Sequence, residues 1–303
     1  MKENTATGDT LTRSFEKWYN RYYKFLLIIP IILALFSIGY IYHVYQTTGD
    51  FIYKDITLTG GTSITVLRDL PADVQITLEN SLQGQGITLR KLTDIRTGRV
   101  SSFTIETRAS PEEIKPQLEK ILGYTLDETN SSIEFTGSSL SSDFYQQLII
   151  ALIISFILMS IVVFFLFRSF IPSVTVIFAA LTDILMSVAL VDFIGMRLSS
   201  AGIAAFLMLV GYSVDTNILL TSRALRRREV PVNQRIYSAF KTGMIMTLTA
   251  FIAIAPIFFI TSGIPYSFRQ IFFILSIGLA SDVLSTWLTN ASLIKWYCEK
   301  KNI

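Results

Sequence analysis

The chain is short of charge, of cysteine and of histidine. Only 16% of its 303 residues are Asp, Glu, Lys or Arg, against roughly 25% in an ordinary soluble domain. A lone cysteine, Cys298, rules out an intrachain disulfide. With one histidine, His43, there is no His/Cys cluster to hold zinc, copper or an iron–sulfur centre. The same shortage leaves no Ser-His-Asp or Cys-His set for nucleophilic catalysis. The glycine pair in "TLTGGTS" has no phosphate-loop spacing and no following Lys-Ser/Thr, so nucleotide binding is unsupported. No enzymatic activity, no cofactor, no metal and no nucleic-acid partner are expected.

What the chain has instead is apolar length. Hydrophobic residues make up 51% of it and the mean hydropathy is +0.49. Six stretches, 25–45, 145–167, 171–194, 199–221, 243–262 and 268–294, approach the roughly 20 residues that a helix needs to cross a bilayer. The first is longer than a signal-peptide core and no small-residue cleavage site follows it, so it is read as a retained span. This yields a polytopic α-helical membrane protein with one polar insertion of about 100 residues between the first and second spans.

Basic residues set the orientation. Lys2, Arg13, Lys17, Arg21 and Lys24 precede the first span, and Arg223, Arg226, Arg227, Arg228 and Arg235 follow the fourth. Arg168 follows the second, and Lys295, Lys300 and Lys301 follow the sixth, whereas the alternate loops offer Arg197 and Arg269. The expected plan is a cytoplasmic tail 1–24, a span 25–45, an extracytoplasmic insertion 46–144, a bundle 145–294 and a cytoplasmic tail 295–303.

Within the insertion, "GTSITVLRD", "ITLRKLTDI", "VSSFTIET" and "SSIEFTG" read as strands, the middle two joined across Thr97-Gly98. "PADVQITLENSLQG" reads as a helix opened by Pro71 and Asp73. "SPEEIKPQLEKILG" reads as another, with Ser110 as N-cap, Pro111 at its first position and Glu113 completing a capping box. The order β-α-β-β-α-β is that of a ferredoxin-like split βαβ unit.

Three aspartates fall inside predicted spans: Asp183, Asp215 and Asp282. Such residues are costly in lipid, and they usually face a bundle interior and serve a pathway. A rise of about 1.5 Å per residue puts Asp183 and Asp282 near mid-depth and Asp215 nearer the cytoplasm, where Lys241 of the fifth span would meet it. Proton binding and a structural ion pair both account for such groups. For Asp215 the first is favoured, because Ser213, Thr216 and Asn217 place polar groups beside it; for Asp183 and Asp282 the two readings stand level. Gly202, Gly211, Gly243 and Gly278 would let helices approach closely.

Three segments resemble a known family. Asp55 followed by Gly60, Gly61 and Thr62 is similar to the D-F-x-G-G-T element of SecF proteins, with two further residues between aspartate and glycines. "VGYSVDTNILL", from Val210 and Gly211 onward, resembles the G-Y-S-x-N-D-T signature of SecF and the V-D-A-N-V-L-I element of its sister SecD. "AFKTGMIMTLTA" is similar to a family segment in which arginine stands where this chain has Lys241. The six-span layout resembles SecF over essentially the whole chain, in an archaeal form. The resemblance implies a bundle of the resistance-nodulation-division class, a SecD partner and association with a SecYEG-type channel. It also implies help to a translocating preprotein, driven by protons, with Asp215 as carrier and Lys241 in the arginine's role. The rival expectations are half of an exporter for lipids or drugs and a passive scaffold of the channel.

Overall fold

The computed structural model describes residues 21–23, 25–67, 74, 87–93, 100–226, 230–260 and 266–301. In chain order these form α1 (Ile28–Thr48), a single helical turn α2 (Ile56–Thr59), β1 (Gly61–Val66), β2 (Thr88–Thr93) and β3 (Val100–Thr107). There follow α3 (Pro111–Leu122), β4 (Ser131–Thr136), α4 (Ser138–Phe167), α5 (Phe170–Phe193), α6 (Ser200–Arg226), α7 (Val232–Ile260) and α8 (Tyr266–Leu284). A π-helical segment, Ser285–Asn290, joins α8 to α9 (Ala291–Lys301). The predicted helix over 71–84 and the Thr97-Gly98 link lie outside the described residues.

The four strands form one antiparallel sheet in the order β2-β3-β1-β4. Alternation decides which face is covered. Ile64 and Val66 of β1 and Phe103 and Ile105 of β3 pack with Ile114 and Leu118 of α3. Ile114 and Leu118 lie four apart on one helical face, so α3 lays a single apolar stripe on the sheet. Ser110 and Pro111 do begin α3, but the Ser110 side chain makes no capping bond, and its carbonyl instead accepts from Glu113 and Ile114 N–H. The expected capping box is therefore not closed. In the turn before β4, Asp127 accepts from the hydroxyl and N–H of Thr129 and the N–H of Asn130, and these bonds hold its carboxyl below the usual carboxylate range.

Among the described residues, six helices are long and apolar enough to cross a membrane. α5, α6 and the α8–α9 rod are buried along much of their length, whereas α1, α4 and α7 keep most of their apolar surface on the outside. The central rods touch because glycines stand at their crossings. A methyl group on Gly202 would meet Gln270, one on Gly243 would meet Trp287, and one on Gly278 would meet Leu209. Gly211 instead faces open space. Two apolar clusters hold the rods at their two ends. One gathers Leu198, Ile203, Phe206, Leu209, Ile274 and Leu275, and the other gathers Leu220, Ala224, Ile236, Trp287, Ala291 and Ile294.

The segment after α1 is tied to the turn between α5 and α6 by backbone bonds: Leu198 N–H to Tyr53 O at 2.6 Å and Asp55 N–H to Leu198 O at 2.9 Å. Gln270 completes this clamp. Its Oε1 accepts from Ser199 N–H at 2.8 Å and its Nε2 donates to Arg197 O at 2.6 Å.

Candidate functional site: a buried carboxyl pair

Asp282 of α8 is 1% exposed, and its carboxylate is the acceptor of a small hydroxyl network. Thr216 Oγ1 of α6 donates to it at 2.8 and 3.1 Å, and Thr286 Oγ1, one turn further along the same rod, donates at 2.9 Å. Asp183 of α5, 0% exposed, stands beside it. Neither oxygen of Asp183 has a hydrogen-bond partner of good geometry among the described residues, although the Ser213 hydroxyl lies close to both carboxyls. Two carboxylates in one low-dielectric site cannot both be ionised without large cost, so the pair is suited to holding one mobile positive charge.

Just below, Asn290 closes a second polar cluster. Its Nδ2 donates to Asn217 Oδ1 at 2.8 Å and to Thr221 Oγ1 at 3.2 Å, and Asn217 Nδ2 donates to Ser213 O at 2.8 Å. The π-helical segment begins just after Asp282 and ends at Asn290, and one of its residues, Thr286, supplies a hydroxyl to Asp282. π segments are rare and frequently sit at functional sites.

The predicted residues are divided between two places. Asp183, Asp282, Ser213, Thr216 and Asn217 are all buried and brought together. Asp215 and Lys241 are exposed, each on the outer surface of its helix, and no ion pair joins them among the described residues. Of the polar neighbours taken to favour Asp215, Thr216 bonds Asp282, Ser213 lies close to both buried carboxyls and Asn217 bonds Asn290, because adjacent positions on a helix point about 100° apart. Depth alone matched Lys241 to Asp215; the faces do not match. Thr286, Asn290 and Thr221 were missed, though Asp282, Thr286 and Asn290 repeat at intervals of four, which was legible as one polar helical stripe.

The glycine motif has a structural role. Asp55 caps α2, accepting from Ile56 N–H, and the two extra residues noted in the sequence are taken up by that helical turn. Gly60 and Gly61 adopt φ of 80° and 138°, and Thr62 Oγ1 donates to Ala109 O at 2.6 Å. A side chain on Gly60 would collide with the Ser138 backbone where α4 begins, and one on Gly61 with the Thr107 carbonyl. The motif is thus a tight joint between α1, the sheet and α4.

Protein export membrane protein SecD/SecF, C-terminal, is the family that matches residues 117–300. The chain belongs to this SecD/SecF family. It is 34% identical to the protein-export membrane protein SecF of Methanolacinia petrolearia, over 93% of this chain and 96% of that one. Identity to the SecF of Methanocaldococcus jannaschii is 36%, over 91% and 95% of the two chains. The crystal structure of SecDF, a translocon-associated membrane protein from Thermus thermophilus, superposes with a TM-score of 0.72 at 20% identity, which establishes likeness of fold. That match covers 93% of this chain and 38% of SecDF, so the chain spans well under half of that protein. With its six apolar helices, this SecD/SecF-family chain is a multi-pass membrane protein.

Proposed function

We propose that this chain is an accessory subunit of the protein-export machinery, acting with a SecD-type partner and a SecYEG-type channel to help preproteins across the cytoplasmic membrane. Its role is not catalytic. Proton movement through the helical bundle drives it, and the Asp183–Asp282 pair binds the proton. One observation carries this reading: a carboxyl pair is buried in the centre of a bundle, with Asp282 held by hydroxyls and Asp183 without a hydrogen-bond partner of good geometry among the described residues. A structural pair would be expected to satisfy both members.

In the same reading both termini and the arginine-rich turn after α6 are cytoplasmic, because lysine and arginine gather at that end. The insertion is an extracytoplasmic ferredoxin-like domain. Support for it comes from the antiparallel order β2-β3-β1-β4, with α3 packed on one face. Asp215 and Lys241, on outward faces, belong to the contact with the partner, where this carboxylate of α6 and lysine of α7 take part in the same proton cycle.

The test is secretory precursor accumulation in cells carrying Asp282→Asn or Asp183→Asn, with partner copurification followed alongside. Precursor build-up with an intact complex supports the reading. Normal export with an intact complex sinks it and leaves a passive scaffold.

A further inference from the structure

The acceptor triplet for N-linked glycans, Asn-x-Ser/Thr with x other than proline, occurs twice in the chain. The two are Asn130-Ser131-Ser132 and Asn290-Ala291-Ser292. Such a triplet also arises by chance, so its setting decides whether it can be used. The second is closed off. Asn290 is 0% exposed, its amide is spent on Asn217 and Thr221, and Ser292 is buried as well. No enzyme can reach it in the folded bundle.

The first stands at the surface, in the turn between α3 and β4 and so in the insertion rather than the bundle. Asn130 Oδ1 accepts from Asp127 N–H at 3.0 Å, and its Nδ2 donates to Thr125 O at 2.9 Å. An amide nitrogen carries two hydrogens. A glycan replaces one of them, and the other keeps the bond to Thr125, so the turn survives modification. Asp127 in turn accepts from Thr129 and Asn130 N–H, which fixes where Asn130 is presented. Ser132, whose hydroxyl completes the triplet, is exposed. Among the described residues β4 pairs with β1 alone. Its other side is open to an enzyme that reads Asn130 to Ser132 in extended form. The six residues of β4 put about 20 Å of extended chain between Asn130 and α4. A membrane-bound transferase has room to approach.

We propose that Asn130 is an N-glycosylation site, modified on the outer side of the membrane by an oligosaccharyltransferase that draws on a polyprenyl-phosphate-linked glycan. Asn130 Nδ2 attacks the anomeric carbon of the first sugar, and a C–N bond forms. The bond from that carbon to the phosphate oxygen breaks, the lipid phosphate leaves, and the proton from nitrogen passes to a base of the transferase. No oxidant or reductant is required. The attached glycan is bulky and hydrophilic. It stands at the head of β4, where Ile133 and Phe135 are exposed, and it shields an open strand edge from pairing with stray chains. The inference rests on the extracytoplasmic reading of the insertion, and its test separates the two.

The experiment takes the full chain from the cells that naturally make it and measures the mass of the proteolytic fragment holding Asn130. The expected result is a fragment heavier than its sequence by one or more sugars, with the increment lost in both Asn130→Gln and Ser132→Ala. Ser132→Ala keeps the asparagine and its turn, so the outcome does not hang on whether Asn130→Gln folds. An unmodified fragment from the parent chain, or an increment that survives Ser132→Ala, would overturn the site. Sidedness is read separately. Glu128→Cys, exposed in the same turn, is offered a membrane-impermeant maleimide in intact cells. Labelling there with Asn130 unmodified removes the glycan and spares the orientation. Labelling only after the cells are opened, with Asn130 unmodified, removes the orientation and the glycan with it.

Discussion

One position separates Asp215 from Thr216, yet a helix turns about 100° over that step, and the two residues have opposite environments. Thr216 is buried and bonded to Asp282, whereas Asp215 looks out of the bundle. Their substitutions should therefore differ in kind. Thr216→Val keeps the side chain's shape but leaves a buried carboxylate short of a donor, and it is expected to lower stability by about 1–3 kcal/mol. Asp215→Asn in the isolated chain is expected to change stability by less than about 0.5 kcal/mol. Thermal or chemical unfolding of the purified chain in detergent compares them directly. Equal losses would mean that Thr216 contributes nothing special to Asp282.

At the scale of elements, the joint at Asp55–Thr62 has the tightest geometry. It turns the chain from α1 through a helical turn into β1 within a few residues, and it also brings the start of α4 against Gly60. An L side chain at φ of 80° is strained by roughly 1–3 kcal/mol before any collision is counted. Gly60→Ala is expected to lose at least that much, because the Ser138 backbone cannot rotate away as a side chain would. Gly211→Ala, where space is open, should be close to neutral. Unfolding midpoints of the two variants make the check, and a Gly60→Ala midpoint equal to that of the parent would refute the joint as a strained contact. The π segment is the other telling element. It interrupts the α8–α9 rod beside the carboxyl pair, and two of its residues, Thr286 and Asn290, supply polar atoms to α6 or to Asp282.

For the whole molecule, the outward faces matter most. α1, α4 and α7 expose long apolar surfaces, as lipid or an apolar partner requires. Two ionisable residues break this pattern. Asp215 has exposed Met208 and Tyr212 on its helix, and Lys241 has exposed Ile245 and Leu248 on its own. A charge facing lipid within a span is costly, so a protein surface is the better cover. Asp215→Lys is expected to reduce copurification of the SecD-type partner several-fold. Asp282→Asn, buried within the chain, should leave copurification unchanged. A pull-down that treats the two variants alike would dissociate Asp215 from the partner surface.

Composition and hydropathy sufficed for the six apolar helices, since a spanning backbone must satisfy its hydrogen bonds within each helix and therefore writes its length into one continuous run. Local pattern likewise revealed the strands and α3, and in β1, β3 and α3 burial on one face has a period that can be read locally. The aspartates of α5, α6 and α8 stood out in the sequence as costly groups. Which of them meet was not legible: Asp183 and Asp282 lie far apart in the chain, and their pairing depends on how three helices rotate about their own axes. Between α6 and α8 the close contacts at Gly202 and Gly278 limit that rotation, and they depend on atoms from another helix or turn. Local pattern determines an element and its apolar content; only packing decides the direction in which each polar side chain points, and here it turned Asp282 inward and Asp215 outward.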